Sequence, residues 1–343
     1  MGPNRIECSS EPRLHRSSMI WLERFYARVR LPFWIGTIVV GFLPFVAMVI
    51  LIYSVLLPGL LGIIIASMPF FFIQILYWQF AAKRARKQIE RLNEYSRSIS
   101  QGNSAIGLDS LYGLKGELIT WALIAAAVIP TYYSSTLQHY SLSVGQILLT
   151  ALPWVYYAFF EGTFYWVWGY SMYSVHRMGK LPLKLKTFTQ DRTLGLRPFA
   201  STSLVLTGIY IVAVGFFVLS VVFQGYASLA FMALFMGLFL IGFALFLFPL
   251  LSLRKKLLQS KREELAWIGP HYTRIMQRLK QLDVGFLDQR LVTELAAVKE
   301  IQSEIQRMRT WPFDTGIFVR LAAILLTVTA IVLSRIVTIA LQL

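Results

Sequence analysis

Long apolar runs alternate with short, strongly basic segments along this chain. A helix needs about 20 mostly apolar residues to cross a bilayer, and the runs are read against that length. Leu31 to Leu56 is the first, and Leu57-Pro58-Gly59 breaks it. Leu60 to Phe80 follows with almost no loop, which predicts a tight hairpin. Further runs cover Gly116 to Tyr132, Ile147 to Val175, Phe199 to Phe223 and Leu229 to Leu253. The pattern then changes. Arg254, Lys255, Lys256, Lys261 and Arg262 open a polar stretch of helical periodicity that lasts to Thr310-Trp311-Pro312-Phe313-Asp314, and Ile317 to Leu341 is apolar again. The expected fold is all-α, with seven transmembrane helices and a helical stalk, 254–312, between the sixth and the last.

Composition agrees: 56% of residues are hydrophobic, 15% are charged and the mean hydropathy is +0.59. These values belong to an integral membrane protein. A net charge of +16 would suggest a nucleic-acid partner if it were spread over one surface. It is not. All but two of the 33 Lys and Arg residues fall in segments 1–30, 81–115, 176–198 and 254–312, on one side of the expected spans. The loops on the other side carry none. This positive-inside pattern puts the N-terminal arm, both long loops and the stalk in the cytoplasm, and the C-terminus outside the cell membrane. The basic blocks would face anionic lipid, and no nucleic-acid partner is expected.

The N-terminal arm is expected to be retained, since the first apolar run is too long and too late for a cleaved signal. Ile6 stands where a myristoylation signal needs Ser or Thr. Within the arm, Ser18 to Arg30 mixes Trp21, Phe25 and Tyr26 with arginines and has the texture of a segment lying along the membrane surface. A Ser-, Gly- and Asn-rich stretch from Ser96 to Gly107 reads as a flexible loop.

The stalk has its own periodicity. Tyr272, Ile275, Leu279 and Leu282 share one helical face, and Asp283-Val284-Gly285 offers a turn. Leu287, Leu291, Val298, Ile301, Ile305 and Met308 form a second stripe, with Glu294 at a stripe position. Two such helices predict a hairpin. Leu291, Val298, Ile301 and Ile305 are the candidates for subunit assembly, with packing inside one chain an equal alternative.

Glu161 is the only acidic residue read as lying well inside a span, roughly 21 Å from its outer edge. Such a group should face a cavity, a path or a partner. Tyr157, Tyr165 and Trp168 surround it in sequence as hydrogen-bond donors, and the cluster has the makings of a ligand site. The ligand would be an organic cation or, equally, an aromatic molecule; the plainer reading is a carboxyl that joins two helices. In the last span, Arg320, Thr327, Ser334 and Thr338 recur at seven, seven and four residues and so share a face. In a ring of identical helices that face would line a pore; alternatively the hydroxyls bond their own backbone.

The segment Phe188 to Pro198 reads as an ordered elbow, in which Asp191 and Arg192 are placed to pair and Gly195 permits a sharp turn. Enzymatic chemistry finds no motif. The four histidines lie in separate segments, the single Cys8 excludes an internal disulfide or thiolate cluster, and no nucleotide or hydrolase signature occurs. No cofactor and no metal are expected.

This layout resembles the seven-helix ion channels typified by insect odorant and gustatory receptors. The features shared are the basic N-terminal arm, the very short tail, helices prolonged beyond the fourth to sixth spans, and a final span set off by Trp311-Pro312. The likeness is one of topology, and the last span ends Leu341-Gln342-Leu343 without that family's signature pairs. It implies a homo-oligomer, a tetramer, anchored by cytoplasmic helices, passing ions in response to a small ligand. The expected function is therefore an oligomeric channel or channel-like receptor. A proton- or cation-coupled transporter using Glu161 is the alternative, and a membrane scaffold or lipid-binding protein is the third.

Overall fold

The computed structural model describes residues 20–100, 107–108, 113–132, 142–185, 187, 191, 193–223, 229–281, 289–308 and 310–311, with 319, 323, 327, 330 and 334. Among the described residues the chain is all-helical, apart from an isolated bridge between Ser100 and Leu183. The helices are α1 (Trp21–Arg28), α2 (Phe33–Gly36), α3 (Leu43–Leu56), α4 (Pro58–Ile99), α5 (Leu114–Tyr132), α6 (Val144–Lys180), α7 (Arg197–Phe223), α8 (Leu229–Gln281) and α9 (Gln289–Gln306). A π-helical turn, Thr37–Phe42, joins α2 to α3 without a break.

Among the described residues, five helical segments are long and apolar enough to cross a membrane: Phe33–Leu56, Pro58–Ile99, Val144–Lys180, Arg197–Phe216 and Met236–Gln281. The third apolar run is helical as α5 but is not among the five. Most of the seventh lies outside the described residues, Arg320 and Thr338 included.

Two helices extend further than the apolar runs suggest. The helix α4 continues through Lys83-Arg84-Ala85-Arg86-Lys87 to Ile99, where a flexible loop from Ser96 is expected. Ala85, Ile89 and Leu92 recur at four and three residues and are all buried, so the basic block keeps an apolar stripe and the helix persists. Likewise α8 passes Leu253 and runs unbroken to Gln281, with Pro249 and Pro270 inside it.

The chain divides into two compact units. The first comprises Met1–Arg84, Gly107–Tyr170 and Gly215–Ala227, and the second Ala85–Ile106, Ser171–Val214 and Ser228–Leu343. An aromatic core fills the first. Phe45 packs on Phe71 and Tyr157 with ring centres 5.4 Å apart, and Phe71 and Trp154 are separated by the same distance. Here α5 approaches α6 at Gly162, where an added Cβ would stand 2.8 Å from the Trp121 backbone. Only glycine allows that distance. The Trp121 indole completes the contact by donating to the Val155 carbonyl at 2.9 Å.

In the second unit the end of α6 lies on α8. The His176 ring stacks on Phe248 at 3.7 Å, and the Lys256 ammonium donates to the Leu181 carbonyl. The elbow after α6 is ordered by Asp191. Its carboxylate accepts from the Thr193 amide and hydroxyl at 2.8 Å and from the Gly195 amide at 3.0 Å. The expected pairing of Asp191 with Arg192 lies outside the described residues. Gly195 sits at φ 83°, the left-handed conformation such a turn demands. The Tyr95 hydroxyl locks it by donating to the Gly195 carbonyl at 2.9 Å.

The hairpin of the stalk is present, with α9 folded back on α8. Ile268, Ile275, Ile305 and Met308 are buried, while Leu291, Val298 and Ile301 are half-buried. Glu294 is exposed instead of on the stripe, and Leu295 takes that position, four residues from Leu291 and three from Val298. Turning the carboxylate outward leaves it hydrated. Lys261 caps the end of α9, donating to the Gln306 carbonyl at 2.6 Å and the Met308 carbonyl at 3.3 Å. Arg254 lies over the Trp311 ring at 4.7 Å.

Candidate functional site

The helix α6 carries an unusual buried face. Thr150, Trp154, Tyr157, Glu161 and Trp168 lie at spacings of four, three, four and seven, and each is less than a tenth exposed. Spacings of three and four keep side chains on one side of a helix. This side would ordinarily be aliphatic in an apolar helix. Here it bears hydroxyl, indole, phenol and carboxyl groups over roughly 27 Å, counting from Thr150 to Trp168 at 1.5 Å per residue.

Thr150, Trp154, Tyr157 and Glu161 each find a partner in the first unit. The Tyr53 hydroxyl donates to the Thr150 carbonyl at 3.1 Å and accepts from the Trp154 indole at 2.9 Å. One turn along, the Tyr157 hydroxyl donates to the Gln74 side-chain carbonyl of α4. Another turn along stands Glu161, 3% exposed, with the Tyr165 hydroxyl hydrogen-bonded to its carboxyl. Trp78 lies four residues after Gln74, and its ring centre is 4.9 Å from that of Tyr157. Its indole N–H is buried and has no acceptor among the described residues. The Tyr156 hydroxyl reaches the Val40 carbonyl in the π-helical turn, so this irregular turn packs against α6 one helical turn from Glu161. Such turns recur at functional sites in helices.

Three of the four intramembrane residues singled out from the sequence, Tyr157, Glu161 and Tyr165, are thus brought together, and Trp168 is buried on the same face. Gln74, Trp78 and Tyr53 belong to the cluster as well. No local signal marks them, because each stands alone in an apolar run; only the fold sets α3 and α4 against α6. Glu161 is also not the sole buried acid. Glu117, near the start of α5, is wholly buried too. Its neighbour Gly116 lies against the Trp166 ring, which brings the start of α5 close to this α6 segment.

The other sequence candidates stand apart. Thr327 and Ser334 are helical and exposed, and the Thr327 hydroxyl bonds the Ala323 carbonyl of its own helix at 2.9 Å. Among the described residues no group of His, Cys, Asp and Glu could hold a metal ion. A small apolar niche lies between α7 and α8, lined by Tyr210, Phe239, Phe243 and Phe246. The Tyr210 hydroxyl donates to Leu238, at 2.5 Å, and the niche presents little but hydrocarbon. Compared with family models, curated proteins and solved structures, the chain matches none of them.

Proposed function

We propose that this chain is a membrane transport protein of the cell membrane, with the polar face of α6 as its working element and Glu161 as its coupling carboxyl. The supporting observation is the alignment of three hydrogen-bonded pairs along one face, Tyr53 with Trp154, Tyr157 with Gln74, and Glu161 with the half-buried Tyr165. A buried carboxyl in an apolar span needs a proton, a cation or a donor beside it, and a seam of hydroxyl and amide groups supplies steps along which such a partner exchanges. The substrate class is a proton, a metal cation or a small organic cation; aromatic rings on either side of the carboxyl suit the last. The N-terminal arm and the α8–α9 hairpin are assigned to the cytoplasm by the distribution of Lys and Arg.

The test uses the full chain in proteoliposomes with a pH gradient as the driving force. Glu161→Gln keeps the size and a hydrogen bond to Tyr165 but cannot ionise. Gradient-driven uptake should fall at least about a hundredfold, as for loss of an essential acid–base group, while the thermal midpoint stays within a few degrees. Uptake that survives the substitution would remove Glu161 from the mechanism.

A second reading is favoured by the last apolar run. Val319, Ala323, Thr327, Ala330 and Ser334 are helical, spaced four, four, three and four, and all exposed. A small and hydroxylated face of this kind suits close packing of helices or a water-filled path in an oligomer. On this reading the chain is an oligomeric channel of the kind its layout resembles. Thr327→Trp would then close the path and leave Glu161→Gln conducting.

A further inference from the structure

The start of the chain builds a surface distinct from the α6 seam. The helix α1 presents two apolar strips. Leu22 and Tyr26 are buried, the Tyr26 ring lying against Gly36, and this strip holds α1 to the first unit. Phe25 and Val29, also four residues apart, are exposed, and Trp34 beside them is 51% exposed. An uninterrupted run of aromatic contacts links the two sides. Phe25 meets Tyr26 at 6.3 Å, Tyr26 meets Phe33 at 6.1 Å, Phe33 meets Trp34 at 5.3 Å, and Trp34 stacks on Phe80 of α4 at 6.1 Å.

Cations border this run. Arg24, Arg28 and Arg30 are exposed on and just after α1. Lys83 sits 4.3 Å over the Phe33 ring and Arg84 5.9 Å over Phe80. Arg30 stands at φ 59°, a left-handed conformation that ends the helix and leads the chain into α2. The one acid of α1, Glu23, is half-buried and falls on the opposite flank by helical spacing. Exposed rings at the boundary of an apolar helix, with several positive groups and, among the described residues, no negative one between them, match the edge of a leaflet whose headgroups are anionic. A protein partner offers no comparable explanation for Phe25, Val29 and Trp34 lying beside the start of a long apolar run.

We infer that α1, Trp34 and the Phe80–Arg84 turn of α4 form a binding site for anionic phospholipid, in which Arg24, Arg28, Arg30, Lys83 and Arg84 engage the phosphate-bearing headgroups and Phe25, Val29 and Trp34 enter the acyl boundary. The site anchors α1 in the membrane plane and is independent of what the α6 seam carries.

The test is lipid retention by the purified full chain, measured by native mass spectrometry after equilibration with equal amounts of phosphatidylserine and phosphatidylcholine of matched acyl chains. The wild type should retain phosphatidylserine in preference. The variant R24Q/R28Q/R30Q should lose that preference by at least about tenfold, since each cation near such a surface matters strongly. A variant of equal charge loss in the stalk, K255Q/R262Q/R274Q, should change it less than about twofold. Equal retention of the two lipids by the wild type, or equal losses in the two variants, would overturn the site. So would displacement of phosphatidylserine by inorganic phosphate, which needs no acyl boundary. If the triple variant does not fold, R28Q alone, with about a threefold loss expected, decides the matter in the same way.

Discussion

The α6 face and the α8–α9 hairpin handle polar groups in opposite ways. Along α6, phenol, indole, amide and carboxyl groups are turned inward and hydrogen-bonded to one another inside an aromatic core. In the hairpin the ionised groups are mostly turned outward, and the contact between helices is aliphatic, ending in Ile305 and Met308. The hairpin follows the ordinary economy of an amphipathic helix pair, in which apolar groups are buried between the helices and charges face outward. The α6 face does not. Apolar residues in an apolar span gain little from facing inward, so close packing and polar pairing decide which side is buried. A substitution that spoils packing should therefore damage the α6 region most, and one that removes a single cation from the hairpin least.

The largest effect is expected where backbones nearly touch. Gly162→Val places branched carbons where even a Cβ would meet the Trp121 backbone at 2.8 Å. Either α5 moves or α6 bends. The expected loss is about 3 kcal/mol, the upper end for overpacking. A thermal midpoint lowered by many degrees in detergent would show it, with the hydrogen bond from Trp121 to Val155 lost as well. An unchanged midpoint would mean that α5 packs loosely and that the α6 face is not a rigid platform.

A smaller effect sharpens the same contrast. Tyr157→Phe retains the ring contacts with Phe45, Phe71 and Trp78 and removes only the hydroxyl donated to Gln74. About 1 kcal/mol should be lost, a typical net value for one hydrogen bond. Transport, if the seam works as proposed, should fall much further than stability does. Equal, small losses in both would reduce Tyr157 to a packing residue.

Legibility in the sequence follows the same division. Apolar runs and basic blocks disclose helices, because length and charge are one-dimensional properties: among the described residues six of the expected spans and the hairpin are helical, and five of the six are long and apolar enough to cross a membrane. Boundaries were harder to read. The run of Lys83 to Lys87 looks like a loop, yet Ala85, Ile89 and Leu92 keep the helical stripe going beneath it. Glu294 looked like a stripe residue because it stands three after Leu291, but Leu295 serves equally by spacing and costs nothing to bury. Glu161 could be found because a carboxyl among apolar residues is conspicuous. Gln74, Trp78 and Tyr53 could not, since a lone amide, indole or phenol is compatible with any exposed or interfacial position, and their meeting with α6 depends on how α3 and α4 pack. Glu117 stands at the edge of its run, where sequence alone places it in the headgroup region, yet it is wholly buried beside the close approach of Gly116 to Trp166.

The hairpin prediction is the gentlest. Lys261 donates to the Gln306 and Met308 carbonyls at the end of α9, where four carbonyls lack partners within the helix and the helix dipole is negative. Lys261→Met keeps the aliphatic stem against α9 and removes the charge and its donors. The loss should be about 1 kcal/mol, because water can solvate the freed carbonyls at this half-exposed position. It should be local: hydrogen exchange over 289–308 should quicken about fivefold, with residues 144–170 unaffected. Should exchange quicken in both segments alike, the capping lysine would be holding more than the hairpin, and the contrast between a self-contained helix pair and a seam built on packing would fail.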